Sequence, residues 1–188
     1  KQFATDERAH EIAFLRAESL FLEGLKDDAS KAFEGHVGQY PESPHKNIAR
    51  FRAGQIAYEK EDWKTSLVLL APLIAEKVEE EALAQLKYLA GTCAYQLEDW
   101  KQSAEWLEAF SEEQAKAVNV DLALLTAGLA SEKAGDKGHA VELLAKIPLA
   151  SAHSAQALVE AGRIRYDAEQ YTEGRTSLQQ VIQKHADS

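Results

Sequence analysis

The residues of this chain that could do chemistry are six histidines, one cysteine and a surplus of carboxylates. His10, His36, His45, His139, His153 and His185 are scattered, and none stands three or four positions from another histidine or from Cys93. That spacing is what sets two metal ligands on one helical face. His36 and His139 fall on polar stretches, where solvent-facing positions are expected. A lone cysteine can build neither an intrachain disulfide nor a thiolate cluster, and Cys93 lies in an apolar stretch that suits quiet packing. Glu79-Glu80-Glu81 and Glu112-Glu113 read as solvated runs at junctions or helix starts, where the helix dipole favours them, and not as paired acids and bases. No Gly-rich phosphate loop and no Ser/His/Asp order is present. The expectation is a non-enzymatic protein with no catalytic residue, metal or cofactor.

Charge narrows the partners. With 21 Lys and Arg against 31 Asp and Glu the chain carries −10, and its basic residues do not cluster. It cannot gain the counterion-release free energy that drives binding to phosphate backbones, and anionic lipid would repel it. A protein or peptide partner is expected, without nucleic acid or membrane insertion. No apolar run approaches the roughly 20 residues that span a bilayer. Lys1 to Arg8 does not read as a secretory signal, and the absence of an initiator Met suggests a mature or excised piece of something longer.

Whatever binds must be held by the elements, and these repeat. Ala17, Gly54, Gly91 and Gly128 are each 37 positions apart, and Gly162 follows 34 later. Glu61-Asp62-Trp63-Lys64 is echoed as Glu98-Asp99-Trp100-Lys101. Twelve positions after each small residue comes a second, Ala29, Ser66, Ser103, Ala140 or Gly174, and four further a large apolar one, Phe33, Leu70, Leu107, Leu144 or Leu178. Two antiparallel helices approach to about 8–10 Å only over small side chains. A period in the thirties therefore reads as stacked helical hairpins, each too small to bury its own apolar face.

The fold class expected is all-α, one α-α superhelix domain over residues 1–188 with repeats at about 10–44, 45–81, 82–118, 119–152 and 153–188. Each repeat has a helix A and a helix B. The first runs from Thr5 to Glu23 and Asp27 to Tyr40. In the second, Ser43 caps helix A with Pro44 in its first turn, and Asp62 caps a helix B that buries Trp63, Leu67, Leu70, Leu73 and Ile74 and is kinked or shortened at Pro72. In the third, Ala82 to Leu97 precedes a helix capped by Asp99, with Trp100, Leu107 and Phe110 buried. Leu122 to Ala134 and Ala140 to Ile147 make the fourth, and Ala152 to Ala168 and Tyr171 to Lys184 the fifth. Trp63 and Trp100 are expected as wedges between helices, and Trp106 as a second contact surface if exposed.

This arrangement resembles the tetratricopeptide repeat, over about residues 10–185. It departs in its 37-residue spacing, in Ser or Gly where Ala is usual, and in Arg16 where an apolar residue is expected. The junction Phe33 to Tyr40-Pro41-Glu42-Ser43 is further similar to bacterial cell-envelope repeat proteins, such as the TolA-binding coordinator of the Tol–Pal system and the outer-membrane assembly lipoproteins. That similarity implies a scaffold or adaptor in a periplasmic or outer-membrane-associated complex, with a cytoplasmic setting as the alternative.

The resemblance also implies that the A helices line a concave groove. Positions seven apart share a helical face. Read in register, these are Phe14 and Phe21, Phe51 and Tyr58, Tyr88 and Tyr95, Leu125 and Glu132, and Val159 and Tyr166, with Glu18, Gln55, Thr92, Leu129 and Arg163 between them. The candidate partner-binding residues are Phe14, Phe21, Phe51, Tyr58, Tyr88, Tyr95, Arg163 and Tyr166, flanked by Arg52 and Gln96. Aromatic rings supply such anchors at low entropic cost. The competing reading is inter-repeat packing, expected more of the later ring in each pair than of the earlier. The Lys and Asn with which relatives grip a chaperone's C-terminal carboxylate are replaced by Phe14, Glu18, Phe51 and Gln55, so that mode is not expected. Two other readings stay open: the regulatory or substrate-presenting part of a larger enzyme, and a self-associating structural protein or homo-oligomer.

Overall fold

The computed structural model describes residues 8–78 and 84–185. A first helix starting at Thr5, the run Glu79 to Glu81 and a third repeat starting at Ala82 lie outside the described residues. All regular structure among the described residues is helical: α1 (Ala9–Leu22), α2 (Lys26–Gln39), α3 (Lys46–Glu59), α4 (Trp63–Ala75), α5 (Leu86–Gln96), α6 (Trp100–Glu113), α7 (Val120–Lys133), α8 (Lys137–Ala145), α9 (Ser154–Asp167) and α10 (Tyr171–His185). The chain packs as two compact units, Lys1–Cys93 and Ala94–Ser188, with the boundary inside α5. In the first, α1 packs on α2, α2 on α3 and α3 on α4; in the second, α6 to α10 pack successively, and α7 also meets α9.

The turn between helices A and B is the same in each hairpin. Its left-handed residue is Gly24, Glu61, Glu98, Gly135 or Glu169, at φ 78°, 59°, 62°, 94° and 62°. Around Glu61 the Glu61 N–H donates to Tyr58 O and the Asp62 N–H to Ala57 O, both at 2.9 Å, and the equivalent pair recurs around the other four. This is the Schellman closure, which satisfies the last carbonyls of helix A. Helix B then starts on an aspartate in the middle three repeats: Asp62, Asp99 and Asp136 accept from the N–H groups of Thr65, Gln102 and His139 at 3.1, 3.3 and 2.9 Å. The Asp136 cap explains why α8 begins at Lys137, ahead of the expected Ala140.

Close approach accounts for the small residues. A Cβ on Gly54 would lie 2.6 Å from Leu70 Cδ2, on Gly128 2.8 Å from Leu144 Cγ, and on Gly162 2.9 Å from Leu178 Cδ2. In the fifth repeat a Cβ on Gly174 would in turn meet Gly162 O at 3.1 Å, which is why glycine stands at both crossing positions. The core of the first unit gathers Phe14, Ala17, Ala29, Phe33, Ala49, Ala53 and Ile56. That of the second includes Leu107, Phe110, Leu124, Leu143, Leu144 and Ile164. Each such Leu or Phe contributes roughly 1.5–3 kcal/mol by leaving water.

Several expectations are corrected. Ser43 does not cap α3, which starts at Lys46; its hydroxyl accepts the His45 N–H at 3.1 Å and closes the turn ahead of the helix. Pro72 lies inside α4, which continues past it to Ala75. Trp63, Leu67 and Ile74 are half-buried, leaving Leu70 and Leu73 as the sealed large apolar residues of that helix. His36 is not a surface residue: it is 1% exposed, because α1 and the lead-in to α3 close over it. Leu178 is 40% exposed, whereas Phe33, Leu70, Leu107 and Leu144 in the same register are sealed, because the outer side of α10 has no described helix against it. Trp106 is half-buried and Cys93 fully buried, as a packing residue should be.

Candidate protein-binding face

In the first two pairs the earlier ring is the more enclosed, the reverse of the sequence expectation, and in the third both rings are half-buried. Phe14, Phe51 and Leu125 are buried, Tyr88 is half-buried and only Val159 is exposed. Phe14 shows the cause: it sits mid-helix and stacks on His45 with centroids 4.5 Å apart, while Phe33 and His36 lie at 6.1 and 5.8 Å. The later rings stand near the hairpin turn, where cover is thinner. Phe21, Tyr58 and Tyr95 are half-buried and Tyr166 is 63% exposed.

These later rings are held from one side. Tyr58 meets Trp63 edge-on at 5.3 Å, Tyr95 meets Trp100 at 5.1 Å and Tyr166 meets Tyr171 at 5.1 Å. In each case the last turn of helix A touches the first residue of helix B, five positions on. Trp63 and Trp100 thus do act as wedges. Edge-to-face pairs of this kind contribute about 0.5–1.5 kcal/mol beyond area burial, so the rings are ordered before anything binds.

Charge surrounds the rings. In the first unit Arg52 donates from Nε to Glu18 Oε1 at 3.1 Å and from Nη1 to Gln55 Oε1 at 3.0 Å, and its guanidinium lies 4.9 Å above the Phe21 ring. Burial, with Tyr88 close by, pushes the Tyr58 hydroxyl up to about 12, so it stays a proton donor at neutral pH. In the second unit Arg163 pairs with Glu132 at 2.5 Å, Glu160 at 2.9 Å and Asp167 at 3.4 Å. Glu132 and then Glu160 raise the Arg163 pKa further. Burial, and then the same two carboxylates, raise the Tyr95 hydroxyl. Read in register, Glu132 breaks the aromatic series; in the structure it is the carboxylate that orients Arg163. Only a 31-residue contact shows this, and no local motif announces it.

Sequence reading also missed the ion pairs that tie hairpins together. Lys26 meets Glu59 at 2.7 Å and Lys60 meets Asp27 in the first unit. In the second, Glu108 accepts from His139 Nε2 at 2.8 Å and Lys146 Nζ at 3.0 Å. Beside it a cleft of about 300 Å³ is lined by Lys101, Glu105, Glu108, Ser131, Asp136 and His139, among others. The Ser131 hydroxyl has no hydrogen-bond partner, so it is not joined to His139 as a nucleophile to its base. Among the described residues no group of three or more His, Cys, Asp or Glu is arranged to hold a metal.

Comparison with known proteins places the fold. A tetratricopeptide-repeat family model matches residues 156–188. No curated protein matches the chain in sequence. Among solved structures, YrrB, described as a TPR protein with an unusual peptide-binding site, superposes with a TM-score of 0.74 at 19% identity, over 93% of this chain and 86% of that one. MamA from Desulfovibrio magneticus RS-1 gives 0.68 at 11% identity, over 95% and 97%. A putative kinesin light chain with TPR-like repeats from Podospora anserina gives 0.61 at 16%, over 94% of each chain. At these identities the likeness is one of fold, and with one matching repeat signature in sequence it identifies the architecture as the all-α tetratricopeptide-repeat fold.

Proposed function

We propose that the chain is a non-enzymatic scaffold or adaptor that takes a peptide or protein segment on the face of its A helices. The supporting observation is that in three hairpins the tyrosine in the last turn of helix A is braced edge-on by the first residue of helix B: Tyr58 and Tyr95 are half-buried and Tyr166 is exposed. Braced rings cost little entropy to engage, and the neighbouring Arg52 and Arg163 are already oriented by carboxylates. The peptide-binding description of YrrB, a neighbour in fold, favours the same reading. The similarity of the Tyr40-Pro41-Glu42-Ser43 junction to envelope proteins extends it to a bacterial periplasmic or outer-membrane-associated complex.

The test is capture of a partner from the native host by the wild-type chain and by a Tyr58→Ala/Tyr166→Ala variant, with circular dichroism on both. Loss of capture with unchanged helicity supports the proposal. Equal capture by the two chains sinks it.

A further inference from the structure

Three of the six histidines, from three successive elements, meet where the first hairpin abuts the second. His10 comes from α1, His36 from α2 and His45 from the residue before α3. The Ser43 hydroxyl lies between two of them, 3.2 Å from His36 Nε2 and 3.4 Å from His10 Nδ1, while also accepting the His45 N–H. The His10 and His45 rings are 6.0 Å apart, and Phe14 of α1 lies against both His36 and His45. His36 is 1% exposed and its Nδ1 has no hydrogen-bond partner.

We infer that this cluster is an acid-operated latch: closed while the imidazoles are neutral, and forced open when they take up protons. With neutral rings the hydrogen bonds at the Ser43 hydroxyl balance. The Ser43 hydroxyl donates to one ring nitrogen and accepts from the N–H of the other ring and from the His45 backbone. Once both rings are charged, each presents only N–H donors to Ser43, and the hydroxyl proton loses its acceptor. A protonated His36 also buries an Nδ1–H with nothing to accept it. The groups facing His36 are His10 from α1, Tyr40 from its own helix and His45 from the lead-in to α3. Burial first, and then the like charges of His45 and His10, hold His36 below the ordinary imidazole value of 6.5. A lowered histidine pKa means the open or unfolded chain binds more protons, so the junction is at full strength above the ordinary value and weakens as pH falls from there through the lowered one.

The experiment uses the whole chain between pH 7.5 and 5.5, above the usual carboxylate range. Imidazole titration by NMR should give His36 a midpoint below 6.5. Hydrogen exchange, corrected for its intrinsic pH dependence, should show α1 and α2 losing protection severalfold while α6 holds its own. His36→Gln risks unfolding, so His10→Gln/His45→Gln is the working variant, and in it the loss should shrink. A His36 midpoint at or above 6.5, pH-independent protection of α1 and α2, or an undiminished loss in the double variant would each overturn the latch.

Discussion

Ser66 Oγ donates a 2.9 Å hydrogen bond to the carbonyl oxygen of Gly54, 12 residues earlier, and so fastens α4 to α3 at their crossing. The pair explains why a serine replaces the usual alanine there: a buried hydroxyl finds a partner in the backbone that glycine leaves accessible. Gly54→Ala should destabilise by about 1–3 kcal/mol, since the added methyl meets a sealed Leu70. Ser66→Ala should cost about 1 kcal/mol. Urea denaturation of the two variants measures both, and a neutral Gly54→Ala would refute the close approach.

Glu61 and Glu98 hold left-handed backbone, at φ 59° and 62°, in the turn where Gly24 and Gly135 stand in other repeats. Non-glycine residues pay about 1–2 kcal/mol for that conformation, partly offset by the entropy glycine loses on folding. Glu61→Gly and Glu98→Gly should therefore each raise stability by about 0.5–1 kcal/mol, whereas Gly135→Ala should lower it. Thermal melts of the three variants provide the check.

Phe51 of α3 and Tyr166 of α9 differ in depth, one buried and one 63% exposed. Phe51→Ala should cost about 3–5 kcal/mol and depress the cooperative unfolding midpoint, because it leaves a cavity. Tyr166→Ala should cost only the edge-on contact with Tyr171, about 0.5–1.5 kcal/mol, while weakening partner capture. Equal stability losses in the two would mean that Tyr166 is a packing residue like Phe51.

Acid should loosen two ties besides the histidine cluster. Burial alone would raise the Glu108 carboxyl, but Lys146 and His139 outweigh it and hold it below its usual value. The Asp62 cap is lowered by the Thr65 hydrogen bonds. Both carboxyls have folded-state pKa values below their unfolded ones. Their contributions are thus complete above the ordinary carboxylate range and disappear as pH falls through the lowered values. Glu108→Gln should remove at most about 1 kcal/mol at neutral pH, less at high salt, and should flatten the decline in stability between about pH 5 and 3. An unchanged decline in that variant would remove Glu108 from the account.

The sequence by itself determined what depends on near neighbours and on period. The 37-residue recurrence of Gly54, Gly91 and Gly128, the partner positions 12 and 16 further on, and the Asp62 and Asp99 caps are statements about which residue types a helix, its start and its crossing tolerate; the crossings at Gly54 and Gly128 and both caps appear in the structure where the spacing puts them. Periodicity could not decide how deeply a ring sits, because depth depends on what the next hairpin lays over it. Phe14 and Tyr166 share one helical face by register, yet His45 covers the first and Tyr171 only braces the second. Nor could it join His10, His36 and His45, or aim Glu132 at Arg163: these contacts bridge hairpins, and only the stacking of one repeat on another brings groups so distant in the chain within hydrogen-bonding reach.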